Sequence, residues 1–311
     1  MTEAAATPAA EQKARWPLVE GAVVLVTALW ALGFQLWLPS THVEEADYQA
    51  VAQALAAEAQ PGDVVLLHPW WTERARIYVP EGLPVVGHLF SDGDDLTSHP
   101  RIWVLDQPRL PRGDEAGFEA KFLPSRAEVG SPRRFGNLTL RLFTNGRYRP
   151  SVFSARALLP QLSVYLEGPD GARQACPWTG AQHRCPNNKV VSAEWHEVHF
   201  EPRPCLRFDA PGGETKLVVE LPPQAAADEV VLRTGYTWER GAYKDGVSAT
   251  DVGLEVDGRV VPLTLPPGFE GSMSARATAV PAGAKVRAWI RAANPNAREL
   301  CLELDGYGRA P

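Results

Sequence analysis

The chain has 311 residues, of which 45% are hydrophobic, and its formal net charge at neutral pH is -6. This length allows one large or two ordinary domains, each with a core of its own. The negative charge, together with the lack of any stripe of Lys or Arg, excludes a nucleic-acid-binding surface.

An uncharged apolar stretch, Gly21 to Pro39, is long enough to cross the hydrocarbon core of a bilayer. Trp16, Trp30 and Trp37 are typical of anchoring at the two membrane interfaces. A buried soluble helix and a cleaved signal peptide are the alternatives, but no small-x-small cleavage site follows the stretch. We therefore predict a cytoplasmic tail over residues 1-15 and a transmembrane anchor over residues 16-39.

Flanking charges predict the orientation of this anchor. Lys13 and Arg15 precede it, whereas Glu44, Glu45 and Asp47 follow it without any nearby Lys or Arg. Because positive residues stay on the cytoplasmic side, the amino terminus is expected in the cytoplasm. The bulk of the chain is then periplasmic, on a single-pass protein of the bacterial inner membrane.

The next hundred residues show the rhythm of strands and helices that is typical of a parallel sheet. A capping-box pattern at Thr41 to Glu44 predicts a helix start. Strands are expected at Val64 to Leu67, at Ile102 to Leu105 and at Leu138 to Phe143. We predict a small parallel α/β domain, Rossmann-like, over residues 40-147. No G-x-G-x-x-G follows any of these strands, and no cofactor is predicted.

The segment from Ala46 to Leu105 contains D-Y-x-x-V-A-x-x-L, P-G-D-V-V-L-L, H-P-W, R-I-Y, L-P-V-V-G and R-I-W-V-L. With its continuation to Leu138, it resembles the extracytoplasmic carboxy-terminal region of bacterial membrane glycosyltransferases that use polyprenyl-phosphate sugars. Those enzymes carry their catalytic acidic residue on a many-spanning membrane domain, which has no counterpart here. The resemblance therefore implies a related soluble fold without the catalytic half, and a membrane glycosyltransferase as a partner.

From residue 148 onward the pattern changes to short alternating segments, which are typical of an antiparallel sandwich. The clearest hairpin joins Val252–Val256 to Val260–Leu263 through Asp257-Gly258. We predict a jelly-roll-like β-sandwich over residues 148-311, so the whole chain is α+β with one transmembrane helix. Many carbohydrate-binding modules use such sandwiches, which is an analogy of fold alone.

Four cysteines lie in the second half of the chain, and an even number in an exported domain indicates disulfides. The expected pairs are Cys176 with Cys185 and Cys205 with Cys301. The alternative is a zinc site around His183, although its spacing matches no usual set of zinc ligands. No metal is predicted.

A first candidate ligand site lies in the α/β domain. In open parallel sheets, ligands bind beyond the carboxyl ends of the strands, where His68, Trp70, His88 and Asp92 follow predicted strands. These side chains suit a sugar or a lipid head group. The anchor would also hold this part within reach of lipid-linked sugars. The alternative is structural, with His68 capping a turn.

A second candidate ligand site lies in the sandwich. Trp238 and Tyr236 are expected to stack on a sugar, with Arg240 as a hydrogen-bond donor. Other polar-aromatic candidates near predicted strand ends are Trp195, His196, His199 and Tyr243. The alternative is that these aromatic residues belong to the sandwich core.

These patterns predict a membrane-anchored, extracytoplasmic, non-catalytic protein that binds or presents envelope glycans or assists a membrane glycosyltransferase. Serine-nucleophile motifs are absent from the sequence, and no catalytic residue is assigned. The alternatives are an extracytoplasmic hydrolase or metal-dependent enzyme that acts on glycoconjugates, and a structural interaction module.

Overall fold

The computed structural model describes residues 9-69, 72-87, 96-107, 115-199, 201-237, 248-294 and 299-309. Helix α1 (Ala9–Thr41) contains the apolar stretch. Within it, Val19–Leu38 is long and apolar enough to cross a membrane, and no part of this span is buried against the rest of the protein. The expected apolar amino-terminal helix is therefore present.

Helix α2 (Glu45–Glu58) follows after a short connection and has an acidic amino terminus. Its N-cap is Glu44, which forms a capping box with Asp47. The predicted start at Thr41 is wrong, because α1 itself continues through Thr41. An apolar stripe of Tyr48, Val51 and Leu55 is buried, as the helical spacing predicts.

A five-stranded sheet follows, in the spatial order β2-β1-β3-β5-β4. Its strands are β1 (Val64–His68), β2 (Val85–Gly87), β3 (Arg101–Asp106), β4 (Arg126–Phe135) and β5 (Leu138–Asn145). Strand β1 pairs in parallel with both β2 and β3. Helix α3 (Glu115–Phe122) lies between β3 and β4 in sequence.

This sheet is mixed, so the prediction of a parallel Rossmann-like domain is corrected. Strand β5, which contains the predicted segment Leu138 to Phe143, pairs antiparallel with both β3 and β4. The physical reason is the two-residue turn at Gly136 and Asn137, which returns the chain directly from β4. A parallel pair would need a much longer crossover connection.

The two faces of this sheet pack against different helices. Val65, Leu67 and Trp103 share a core with the apolar stripe of α2. Leu66 and Val104 point the other way and share a core with Phe118 of α3 and its neighbours. The alternation along β1 thus buries both faces, which explains its continuous apolar sequence.

The rest of the chain forms two antiparallel sheets that pack face to face. The strands are β6 (Ser151–Ser154), β7 (Ser163–Glu167), β8 (Arg173–Ala175), β9 (Gln182–Arg184), β10 (Val190–Val198), β11 (Glu201–Asp209), β12 (Lys216–Glu220), β13 (Ala227–Tyr236), β14 (Thr250–Val256), β15 (Arg259–Leu265), β16 (Met273–Val280), β17 (Val286–Ala292) and β18 (Glu299–Tyr307). One sheet has the order β16-β13-β18-β11-β10-β9, with β6 beside β18, and the other has the order β15-β14-β17-β12-β7-β8. The predicted antiparallel sandwich is confirmed.

The sandwich core consists of the inward-facing side chains of both sheets, among them Leu206, Phe208, Leu302, Leu254 and Ile290. The predicted hairpin is confirmed, because β14 and β15 pair on either side of a two-residue turn. Both turn residues adopt the left-handed backbone conformation, with φ of 48° at Asp257 and 81° at Gly258. A type I′ turn requires this of both residues.

Both predicted disulfides are present. Cys176 is bonded to Cys185, and Cys205 is bonded to Cys301 across 96 residues of sequence. The zinc alternative is therefore wrong for these cysteines. His183 is instead buried, with its ring nitrogens 3.0 Å from the Cys176 carbonyl oxygen and 2.8 Å from that of Leu159. Among the described residues, no group of three metal-ligating side chains occurs.

Candidate functional site

One concave site lies where the two parts of the fold meet. A cleft of about 280 Å³ separates edge strand β2 from the outer face of the seven-stranded sheet. Val85 and Gly87 line one wall, and the outer face supplies Arg203, Arg233 and Glu303. Clefts between packed units are common ligand sites.

The alternating sequence of β18 positions the carboxylates of this cleft. Leu300, Leu302 and Leu304 point inward and are essentially inaccessible to solvent. Their neighbours Glu303 and Asp305 therefore point outward on one face, about 7 Å apart along the strand. Both line the cleft.

Neighbouring strands bring two arginines to Glu303. The register between β13 and β18 places Arg233 directly opposite Glu303. The Arg233 Nη1 lies 3.6 Å from one oxygen of Glu303, and the Nη1 of Arg203, from β11, lies 3.4 Å from the other. Both arginines are buried, with 8% of their surface exposed. The cleft floor is thus a compact ionic cluster in which two guanidinium groups share Glu303.

Asp305 lies in a different environment from Glu303. Burial raises its pKa to about 6, and the nearby Glu303 charge adds to this, while a hydrogen bond from the Ser154 hydroxyl and the Arg233 charge act in the opposite direction. Ser154 is positioned for this bond because β6 pairs with β18 opposite Asp305. Asp305 can therefore change its protonation state near neutral pH.

An exposed aromatic residue also lies at the rim of the cleft. Trp195 of β10 lines it and is 60% exposed. Outside α1, it is the only exposed tryptophan or phenylalanine among the residues that the structure describes. Arg156 lies at the same opening and is also exposed. An accessible indole beside charged, planar side chains is the combination that sugar recognition uses.

The stacking role predicted for Tyr236 is wrong. Its ring is buried in the sandwich core, with 4% exposure. Its hydroxyl oxygen lies 3.0 Å from both the Thr250 hydroxyl and the Leu265 carbonyl oxygen. A sugar cannot reach this ring. Trp238 and Arg240, the companions expected for it, lie outside the described residues, and their roles stay predictions.

In the α/β part, His68 is the one predicted site residue that the structure describes. It is buried, with its Nδ1 3.1 Å from Asp106 Oδ1 and its ring stacked 4.0 Å from that of Phe118. It therefore pairs with a neighbouring strand end, and this pair lines a pocket of about 290 Å³. Trp70, His88 and Asp92 lie outside the described residues, so their predicted place beside His68 stays a prediction.

The sequence pattern alone did not select the residues of the cleft floor. Trp195 was one of several polar-aromatic candidates, whereas Arg203, Arg233, Glu303 and Asp305 were not. One local signal was present, because the two carboxylates alternate with leucines in L-E-L-D and must share the face opposite the core. Their meeting with arginines about 70 and 100 residues earlier depends on strand pairing, which local patterns do not reveal.

No protein-family model matches this sequence, and no curated protein matches it. Among solved structures, the chain is similar to a xylan-binding module of class CBM15, with 10% identity over 48% of this chain and 93% of that one, at a TM-score of 0.28. It is also similar to the CBM22-1 xylan-binding domain from Paenibacillus barcinonensis Xyn10C, with 12% identity over 42% of this chain and 89% of that one, at a TM-score of 0.28.

A third similar structure is TmCBM61 in complex with β-1,4-galactotriose, with 11% identity over 51% of this chain and 96% of that one, at a TM-score of 0.24. Identities and TM-scores this low carry no inference about ligand or activity.

Proposed function

We propose that this chain is a membrane-tethered, extracytoplasmic protein that binds glycan in the cleft between β2 and the seven-stranded sheet. The observation that supports this most directly is the exposed ring of Trp195 at a cleft whose floor holds Arg203, Arg233 and Glu303. Stacking on an aromatic face contributes about 0.5 to 1.5 kcal/mol beyond the buried area. The floor supplies the polar contacts that orient a sugar.

The chemistry of the floor suits hydroxyl groups. Guanidinium groups donate hydrogen bonds and carboxylates accept them, so adjacent hydroxyls of a sugar ring find both kinds of partner. Because Arg203 and Arg233 already lie close to Glu303, they are held in fixed positions before a ligand arrives. Such preorganisation lowers the entropy lost on binding.

The extracytoplasmic location is supported by two independent features. Two disulfides persist only in an oxidising compartment, as in the bacterial periplasm. Lys13 and Arg15 precede the apolar span, which favours a cytoplasmic amino terminus. A periplasm-dependent reporter fused to the carboxy terminus tests this, and an inactive reporter paired with an active cytoplasm-dependent one would reverse the orientation.

We extend the proposal to a role beside a membrane glycosyltransferase, to which the protein presents glycan without transferring sugar itself. The support is the resemblance of the segment from Ala46 to Leu105 to the extracytoplasmic region of such enzymes. Turnover of a polyprenyl-phosphate sugar by the purified full chain would contradict this part.

The direct test of binding is a glycan array probed with the full chain in micelles. We expect retention on a subset of envelope polysaccharides and loss of this retention in Trp195→Ala. Val260→Ala serves as the control, because Val260 is an exposed apolar residue on the other sheet. Equal retention of the wild type and Trp195→Ala would remove the cleft as the site.

A second candidate function, hydrolysis of the bound glycan, is favoured by the two carboxylates of β18. Glycoside hydrolases use one carboxylic acid that donates a proton and a second carboxylate that stays ionised. The pKa of Asp305, raised to about 6, suits the proton donor, and Glu303 beside two arginines suits the ionised partner. The test uses a glycan that the wild type retains on the array. Release of reducing ends from this glycan by the wild type would establish the activity, provided that Asp305→Asn still binds the glycan but no longer releases reducing ends.

A further inference from the structure

The turn between β4 and β5 lies against the segment that leaves α1. The Asn137 Nδ2 donates a hydrogen bond to the carbonyl oxygen of His42, at 2.7 Å, and His42 is the first residue after α1. The Asn137 backbone N–H lies 3.4 Å from the Asp47 carboxylate. Gly136 has a φ of 56°, which favours glycine, and a Cβ there would meet that carboxylate at 2.2 to 2.4 Å. This turn therefore marks the edge of the five-stranded sheet that lies nearest to the apolar helix.

The strand registers place a row of polar residues along this edge. Arg134 pairs with Thr139, Thr139 with Asp106, and Asp106 with His68. Directly paired residues share one face of a sheet, and here it is the face that packs against α3. Thr139 lies two residues from the turn, so the row begins about 7 Å from it.

A pocket of about 290 Å³ opens over this row. The His68–Asp106 pair lies on one side of it, and Glu119 of α3 also lines it. Arg134 is exposed, and its side chain has no hydrogen bond or ion pair among the residues that the structure describes. Arg141 lines the pocket as well but forms a two-point pair with Glu128, at 3.0 Å for both contacts.

The pocket therefore offers both a cation and carboxylates. A guanidinium that has no ion pair among the described residues, with a neighbouring hydroxyl, suits a phosphate group, which accepts hydrogen bonds from both. Asp106 and Glu119 suit a group that donates hydrogen bonds, such as a primary ammonium. A phosphate and an ammonium only a few bonds apart occur together in a zwitterionic lipid headgroup.

We propose that this pocket binds the phosphoethanolamine headgroup of a membrane lipid, with the phosphate on Arg134 and Thr139 and the ammonium on Glu119 and Asp106. The proposal rests on the anchoring part of the proposed function, because the anchor brings this edge of the sheet to the bilayer surface. It is independent of glycan binding. The bound lipid holds the α/β part in one orientation against the membrane.

Native mass spectrometry of the full chain in micelles that contain equal amounts of phosphatidylethanolamine and phosphatidylcholine tests the proposal. Both lipids are zwitterionic, but the choline ammonium has no N–H to donate. We expect preferential retention of phosphatidylethanolamine by the wild type. Arg134→Gln should lower this retention about fivefold, which is the effect of one arginine contact at a membrane surface. Arg259→Gln is the matched control, because Arg259 is exposed on β15 of the sandwich.

Thr139→Val is the second variant, since it keeps the shape of the side chain and removes the hydroxyl donor. Equal retention of the two lipids by the wild type, or unchanged retention in Arg134→Gln, would overturn the proposal. Free phosphoethanolamine that displaces the lipid would show that the headgroup suffices, whereas displacement by short-chain lipid alone would show that acyl chains contribute.

Failure of this proposal is distinguishable from failure of the proposed function. Trp195→Ala should lower glycan retention and leave lipid retention unchanged. A chain released from membranes by alkaline carbonate would contradict the anchor itself, independently of the lipid ratio.

Discussion

Asp305→Asn should stabilise the protein at neutral pH and have little effect near pH 4. Burial raises the pKa of Asp305 from its ordinary value of 3.8 to about 6. The folded state therefore disfavours the ionised form. This penalty is small near pH 4 and below, grows mainly between the unfolded-state pKa of 3.8 and the folded-state pKa of about 6, and is nearly complete above about pH 7. A shift of about two pKa units corresponds to about 3 kcal/mol, which is the upper limit of the effect.

Asparagine removes the charge and keeps both the shape and the hydrogen bond with Ser154. The measurement is urea unfolding of the full chain in micelles, followed by tryptophan fluorescence. We expect the free energy of unfolding of Asp305→Asn to exceed that of the wild type by up to about 3 kcal/mol at pH 8 and to be equal to it near pH 4. Asp228→Asn, at an exposed position of β13, is the matched control for loss of one carboxylate. A stability difference that does not change between pH 4 and pH 8 would refute the reasoning.

Two further predictions concern stability. Replacing both cysteines of the bridge between β11 and β18 by serine should lower the free energy of unfolding by about 4 to 5 kcal/mol, against about 2.6 kcal/mol for the short bridge between residues 176 and 185. The reason is that the longer loop gains more entropy in the unfolded state once its bridge is removed. Equal losses of unfolding free energy in urea would contradict the loop-length argument. Gly253→Ala should destabilise the sandwich by about 1 to 3 kcal/mol, because a Cβ there would meet the ring of Trp289 at 2.2 Å. A thermal unfolding midpoint equal to that of the wild type would show that the ring moves aside freely.

Local sequence chemistry predicted the elements whose cause is local. The β14–β15 hairpin follows from Asp257 and Gly258, which tolerate the left-handed backbone that the turn requires. The disulfides follow from an even cysteine count in an exported domain. Tyr48, Val51 and Leu55 follow from helical spacing.

The mixed arrangement of the five-stranded sheet was not predicted, because it includes a strand whose sequence lacks a strand pattern. Strand β4 is rich in charged residues and contains Gly130 and Pro132, so it lacks the apolar alternation of a strand. Without β4 as its hairpin partner, the sequence of β5 suggests a parallel arrangement instead of the antiparallel one. The N-cap of α2 is Glu44 rather than Thr41, because helix α1 continues beyond its apolar stretch.

The candidate site shows the same limit. An aromatic residue in an alternating strand is buried if neighbouring strands extend far enough to cover it, and it is exposed if they do not. The local sequence does not predict how far those neighbouring strands extend. Tyr236 is covered by the second sheet, whereas Trp195 extends beyond the core. The meeting of Arg203 with Glu303 across 100 residues is set by the register of β11 and β18.

The central claim is that the cleft beside Trp195 binds glycan, and calorimetric titration of an array-positive glycan into the full chain tests it most directly. We predict that Trp195→Ala weakens binding by roughly 3- to 10-fold, as expected for loss of a stacking contact worth about 0.5 to 1.5 kcal/mol, and that Trp195→Phe retains most of the affinity. Unchanged affinity in Trp195→Ala, with the protein folded, would contradict the account.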